Sequence, residues 1–548
     1  MGILEFFEHL WTTPPSALHQ NYVLIGGFIL LFGLISLFVK ERLYLTESLV
    51  ATLIGALFGP YGLRIVTPEK WFESDFDYFV SEFSRLIIGL QIMAVGVSVP
   101  GEYLKKSWRS IAIMLGPVMV VMWAISAAAI HWTLSLGWLE SLIIGACITP
   151  TDPVLAHSVI KGKFAERYIP GRLRNLLAVE SGANDGLGFP FMMLPVWLLI
   201  EKTTGDALFH WIVHTWLWEI IGSVILGFLC GIIARHLLKA SIARKLIDKE
   251  SFLVFSIALT LFVSGLVALM SSDDLLAVFV AGNVFAWDDK FNEAYESSHI
   301  SEVIDMLFNI TFFVFFGSII PWSSFIAFSI WRLVSCAGLV LLLRRLPIVM
   351  LLRPWIGNLQ SKKEAFFAGW FGPMGVGAIF FAVQAIRILK EHPAAAISTG
   401  YLEKIFTIVS FIVLSSILIH GITVPLTNSH LKRRMKLKVK RRNKLAAQLA
   451  GLAEISSAIE PISPTSTETD SDAHNPASPT VTEVEEYIYV TDDEDADQAD
   501  TLYGPPSEMT SIPEGIMIES GESPRRRKYK QVAVQSSPPG ASESTIFE

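Results

Sequence analysis

Apolar positions along this chain fall into long runs rather than alternating. Each run holds about 20 residues, the length a helix needs to cross ~30 Å of hydrocarbon. The clearest is "SFLVFSIALTLFVSGLVALM", from Ser251. Thirteen such spans centre roughly on residues 31, 56, 89, 122, 148, 190, 225, 261, 280, 312, 338, 378 and 415. The eighth and ninth share one apolar stretch, parted at "SSDD" (Ser271 to Asp274). The pattern predicts an all-α polytopic membrane protein of about 13 transmembrane helices over residues 1–430.

Polar positions between the runs set the orientation. Basic clusters stand at "KER" (from Lys40), "KKSWR" (Lys105), "KGKFAERYIPGRLR" (Lys161), "RHLLKASIARK" (Arg235) and "SKK" (Ser361). With the N-terminus extracellular, all five lie on the cytoplasmic side, as the positive-inside rule prefers. The acidic loop after Trp287, "DDKFNEAYESSH", breaks the pattern, but Asp and Glu count little in that rule. The C-terminal region, residues 431–548, is then a cytoplasmic tail. It opens on "KRRMKLKVKRRNK" (432–444), nine of whose thirteen residues are basic. Two readings stand: a stop-transfer anchor, or an amphipathic helix on anionic lipid continued by "LAAQLAGLAEI". From about Ser456 the tail is rich in Ser, Thr, Pro, Asp and Glu and is expected to be disordered.

Composition agrees with lipid: 52% of residues are hydrophobic and 17% charged. The net charge of −8 comes mostly from the tail and says little about the spans. Cys147, Cys230 and Cys336 all lie in apolar runs, an odd and buried set that argues against a disulfide framework. The first residues lack a basic n-region, so no cleaved signal peptide is expected. The sequon at Asn309 falls inside an apolar run and is expected to be inert.

Ionisable groups inside the spans carry the chemistry, because a charge in hydrocarbon persists where it faces a cavity, a partner or an ion. "TPTDPVLA" (Thr149 to Ala156) interrupts the fifth span. Pro150 and Pro153 flank Thr151 and Asp152, and should open the helix in mid-membrane and free its carbonyls. In the sixth span, "AVESGANDGLGFPF" puts Glu180 and Asn184 on one face, and Ser181 and Asp185 on another. Glu180 and Asp185 are roughly 140° apart around the helix, so one can bind an ion while the other pairs with a structural cation. That cation is expected from Arg344 or Arg345 in the eleventh span, through a bidentate fork to Glu180. Snorkelling to the interface is the alternative for one of the two. "GWFGPMGVGAIFF" (Gly369 to Phe381) breaks the twelfth span with Gly and Pro. Asp273 and Asp274 are open to three readings: solvated loop residues, a cation-gathering vestibule, or an additional acidic site. His157 is read as helix-lining or interfacial rather than as a proton relay.

These motifs, taken in order with "RRLP", resemble the monovalent cation:proton antiporter-1 family, with the nearest likeness to fungal plasma-membrane sodium/proton antiporters. The resemblance covers roughly residues 15–430. It implies two inverted repeats, two broken helices crossing near the midplane, and a homodimer. It also implies an ion site at Thr151, Asp152, Asn184 and Asp185, with Ser181 a further ligand and Na⁺ held at Asp185, Thr151 and Ser181. Glu180 with Arg344 then forms the structural ion pair, Arg345 being the fallback. Two departures stand out. The third span, "LIIGLQIMAVGVSVP", lacks the acid of archaeal members, and Gln91 is the candidate replacement. The tail is also shorter than in some fungal members.

The function expected is exchange of Na⁺, with Li⁺ and a possible K⁺ activity, for H⁺ across the plasma membrane, giving alkali-cation export and pH homeostasis. Loss of water favours the neutral form of a carboxylate, so a proton and a dehydrated cation compete at Asp185. One such group predicts electroneutral 1:1 exchange. No cofactor, enzymatic activity or nucleic-acid partner is expected. The rivals are a cation channel, an endomembrane K⁺/H⁺ exchanger and an intramembrane hydrolase using Ser181 with His157. No carbonyl filter repeat or nucleophile elbow supports the channel or the hydrolase.

Overall fold

The computed structural model describes residues 16–37, 45–64, 76–153, 155–156, 169–287, 300–392 and 400–423, with a few isolated positions besides. His157 and, three single positions excepted, the tail expected from residue 431 lie outside the described residues. Every described regular element is helical.

Six helices are long and apolar enough to span a bilayer: α3 (Phe76–Ser98), α4 (Gly101–Leu134), α6 (Gly171–Ile200), α7 (Thr204–Ala243), α11 (Ile330–Trp355) and α13 (Gly400–Thr423). Six further apolar helices are described: α1 (Ser16–Leu37), α2 (Glu47–Phe58), α5 (Trp138–Cys147), α8 (Lys249–Leu269), α9 (Asp274–Phe285) and α10 (Ile300–Ile319). The twelfth is split into α12a (Lys362–Trp370) and α12b (Val376–Glu391). Each of the thirteen centres read from the sequence falls on one of these helices or, at residue 148, on the end of α5.

Polarity is inverted relative to a water-soluble protein. Leu34, Ile326 and Trp331 are more than three-quarters exposed, while Thr151, Asp152, Glu180, Asn184 and Asp185 are buried. The apolar surface suits hydrocarbon, and the ionisable groups face the interior, as membrane burial requires. Asn309 is buried too and accepts a hydrogen bond from Ser48 Oγ at 3.3 Å, so its sequon is not available as a surface acceptor.

Local chemistry shapes the helices near the centre. Pro117 sits in a π turn (Met114–Val118) inside α4, where its missing N–H costs least. Trp123 Nε1 donates to Leu142 O at 2.8 Å and ties α4 to α5. Gly227 and Gly231 let α7 press its backbone against Ala277 and Ala281 of α9, since a Cβ at either position would strike a carbonyl. At the edge of α8, Asp248 accepts from Ser251 N at 2.7 Å, and its hydrogen bonds to Ser251 hold its carboxyl below the usual range.

Candidate functional site

α5 stops at Cys147 and α12a at Trp370, and the unwound stretches 148–152 and 371–375 cross. Unwound backbone needs partners from outside its own helix, and each stretch supplies some of the other's. Asp152 N donates to Pro373 O at 2.8 Å. Asp152 Oδ2 accepts from Val376 N at 2.5 Å, and Oδ1 accepts from Leu155 N at 2.9 Å. One carboxylate therefore caps the start of α12b and the resumption of α5, where helix dipoles favour an anion.

The opposite ends are met by a cation. Arg344, 2% exposed, donates to Ile148 O, to Thr149 O at 3.4 Å and to Gly372 O at 2.6 Å. These carbonyls terminate α5 and α12a, where positive charge is favoured. Arg344 is thus not the partner of Glu180. That partner is Arg345, whose Nη1 and Nη2 both reach the Glu180 carboxylate, the second at 2.7 Å. Both side chains are 3% exposed, and Arg345 Nε donates to Ala368 O at 2.8 Å. The correction has a simple cause. The first segment of α11 ends at Leu343, and a new turn begins at Leu346–Pro347, so the two adjacent arginines leave the helix in different directions. Neither snorkels.

α6 presents the remaining groups. Asn184 Nδ2 donates to Thr151 Oγ1 at 2.8 Å, and its Oδ1 accepts from Thr151 N at 3.3 Å. Ser181 Oγ sends its proton back to Leu177 O (2.9 Å) and Ala178 O (3.2 Å), leaving its oxygen lone pairs as acceptors. Asp185 is fully buried, and neither of its oxygens has a hydrogen-bond partner among the described residues. It lies in electrostatic range of Asp152 and Asp273. The first turn of α12b closes over both carboxylates: a Cβ on Gly375 would collide with Asp152 Oδ2, and one on Gly377 would come to 2.5 Å from Asp185 Oδ1.

The acid pair divides its work. Asp273 Oδ1 caps α9 by accepting from Leu276 N at 2.9 Å, while its Oδ2 is buried with no hydrogen-bond partner among the described residues. Asp274, 5% exposed, takes Arg85 Nη1 at 3.4 Å and a hydrogen bond from Ser264 Oγ, so it is not a solvated loop residue. Gln91 is buried on α3, and its amide atoms have no hydrogen-bond partner among the described residues. Sequence reading passed over three groups. Arg85 partners Asp274. Glu219 is buried on α7, 3.3 Å from His214. His420 is buried on α13. Each is an ionisable residue beside or within an apolar run, which is signal enough to have marked it.

Residues 27–428 match the family model described as sodium/hydrogen exchanger, transmembrane. A probable Na⁺/H⁺ antiporter of Schizosaccharomyces pombe is 41% identical over 423 residues, 74% of this chain and 55% of the relative. A Na⁺/H⁺ antiporter of Saccharomyces cerevisiae is 41% identical over 429 residues, 75% of this chain and 43% of the relative. The chain thus spans about half the length of these relatives. A second S. pombe Na⁺/H⁺ antiporter is 33% identical and matched over 89% of its length. The structure of the sodium proton antiporter MjNhaP1 from Methanocaldococcus jannaschii superposes with a TM-score of 0.58 at 19% identity, covering 75% of this chain and 99% of that one, so the fold is shared.

Proposed function

This chain belongs to the transmembrane sodium/hydrogen exchanger family, and on that premise we propose that it exchanges Na⁺ for H⁺ by alternate occupancy of Asp185. One observation carries the reading: a fully buried carboxylate whose oxygens have no hydrogen-bond partner among the described residues. An isolated charge in such a place is costly. It needs a dehydrated cation or a proton, and one carboxylate cannot hold both.

Ser181 and Thr151 supply neutral oxygens beside it. Ser181 has already committed its proton to its own helix, and Thr151 Oγ1 uses one lone pair on Asn184. Asp152 has a different part. Its carboxylate is engaged by two backbone N–H groups, so it fixes the crossing rather than exchanging its occupant. Glu180 is neutralised by Arg345 and stands outside the exchange. Of the acid pair, Asp274 is taken by Arg85 and Ser264, so Oδ2 of Asp273 is the group left for an additional acidic site.

The wider reading rests on the family resemblance and on the charge pattern of the sequence. The protein takes Li⁺ as well as Na⁺, with K⁺ a further candidate. It works in the plasma membrane as a homodimer, with an extracellular N-terminus and a cytoplasmic tail whose 432–444 segment meets anionic lipid. Its output is cation export and pH homeostasis. The test is Na⁺-driven proton flux by the purified full chain in proteoliposomes. Flux that saturates with Na⁺ and reverses with the imposed pH gradient is expected. Flux that stays linear in Na⁺ would point to a pore instead.

A further inference from the structure

The unwound segment of α12 is held from two sides, and only one of them is the ion site. On the site side, Arg344 takes Gly372 O, while Asp152 takes Pro373 O and Val376 N. On the other side stands α13. Met374 N donates to Ser416 Oγ at 2.9 Å, and His420 Nε2 meets Trp370 O at 3.0 Å. Ser416 and His420 are four residues apart and so share one face of α13. They are also joined to each other: His420 Nδ1 lies 3.2 Å from Ser416 Oγ and 2.9 Å from Ser416 O.

A carbonyl only accepts, so Nε2 carries the proton given to Trp370 O. Nδ1 faces both the hydroxyl and the carbonyl of Ser416, and Ser416 Oγ accepts from Met374 N–H. The charged groups that face the ring are Arg344 and Arg345, the latter paired with Glu180. The rings of Trp370 and Phe371 lie 6.1 and 6.2 Å away. His420 therefore grips the last carbonyl of α12a, and through Ser416 it grips the N–H of Met374, two residues before Val376.

We propose that His420, acting through Ser416, is a positioning residue that sets cation affinity by fixing segment 371–375 against Asp152. This rests on the exchange reading above. It touches no cation itself. It acts through the atoms that hold Asp152 and, through α12b, through Gly377, which lies against Asp185. Groups that orient ligands in this indirect way typically change metal affinity about 10–100-fold when removed.

The experiment measures initial rates of Na⁺-dependent proton flux by the full chain in proteoliposomes, and Na⁺-induced thermal stabilisation of the same preparations. The variants are His420→Ala, His420→Gln, Ser416→Ala and the double His420→Ala/Ser416→Ala, with Asp185→Asn as a control. His420→Ala should raise the Na⁺ KM by about tenfold with the maximal rate within about twofold. His420→Gln should recover most of the affinity, because its amide nitrogen replaces Nε2 as donor to Trp370 O. Ser416→Ala should act like His420→Ala, and the double variant should be little worse than either. An unchanged KM in His420→Ala, or Gln as impaired as Ala, overturns the proposal. If His420→Ala does not fold, an unchanged KM in Ser416→Ala overturns it instead. Full exchange in Asp185→Asn would sink the exchange reading itself, whatever His420 does.

Discussion

Asn184 holds Thr151 at two points, donating to its hydroxyl at 2.8 Å and accepting from its backbone N–H at 3.3 Å. The side-chain amide thereby accepts the N–H that a continuous helix would have bonded to the carbonyl four residues earlier. Replacing Asn184 by Ala leaves a buried N–H unmet, at about 1–3 kcal/mol. The expected outcome is a lower melting temperature together with a raised Na⁺ KM. A variant with parental stability and KM would show that the contact is dispensable.

Asp185→Asn should abolish Na⁺-driven proton flux and leave membrane delivery intact. It also removes a buried carboxylate that has no hydrogen-bond partner among the described residues. At alkaline pH without Na⁺ it should melt no lower than the parent, and added Na⁺ should no longer stabilise it. Thermal melts with and without Na⁺ check both statements. A retained Na⁺ shift would place the cation elsewhere.

Glu180→Gln and Arg345→Ala should each destabilise the fold by about 3–5 kcal/mol, since each strands a buried charge. The double variant should lose less than the sum. The neighbouring pair is the control: Arg344→Ala, which uncaps carbonyls rather than a carboxylate, should couple less strongly to Glu180→Gln. Equal coupling to both arginines would contradict the geometry.

Gly377→Ala places a methyl group about where Asp185 Oδ1 now lies, 2.5 Å away. A shift of this kind in a ligand can cost on the order of 10²-fold. Na⁺ affinity should fall at least tenfold while Gly338→Ala, where nothing lies within 4 Å, has little effect. Flux titrations of the two variants decide it.

If Na⁺ and H⁺ share Asp185, acid should raise the Na⁺ KM and leave the rate at saturating Na⁺ nearly unchanged. In the acid limb the rise should be about tenfold per pH unit, from simple proton linkage. Initial rates over a grid of Na⁺ and pH measure this. A flat KM with a falling maximal rate would assign the proton to a separate group, with Asp273 and Asp274 next in line.

The helices were legible because apolar runs mark them, six being long enough to cross a bilayer among the described residues, and the breaks because Pro150 and Pro373 lack the N–H a helix interior needs. Thr151, Asn184 and Asp185 were legible as polar groups with no soluble surface to serve. Three features were not. The choice between Arg344 and Arg345 depends on where α11 ends, and a one-residue change there turns a side chain by about 100°. The role of Asp152 depends on Val376, 224 residues away in sequence. Asp273 and Asp274 look alike on paper, yet one is a helix cap and the other an ion-pair partner, because only the second meets Arg85.

The arginines at the crossing also decide what a membrane potential can act on. Arg344 and Asp152 hold the same unwound stretches and Arg345 pairs with Glu180, so the formal charges of these four buried residues cancel. Asp185 is the remainder. With one Na⁺ or one proton aboard, the crossing carries no net charge; empty, it carries one negative charge. A field does work only on net charge, about 2.3 kcal/mol per elementary charge per 100 mV. Under the proposed exchange a loaded crossing would move through the field without work, while an empty one would meet both the field and the desolvation cost. Slippage without exchange would then be opposed by the charge balance that Arg344 and Arg345 set.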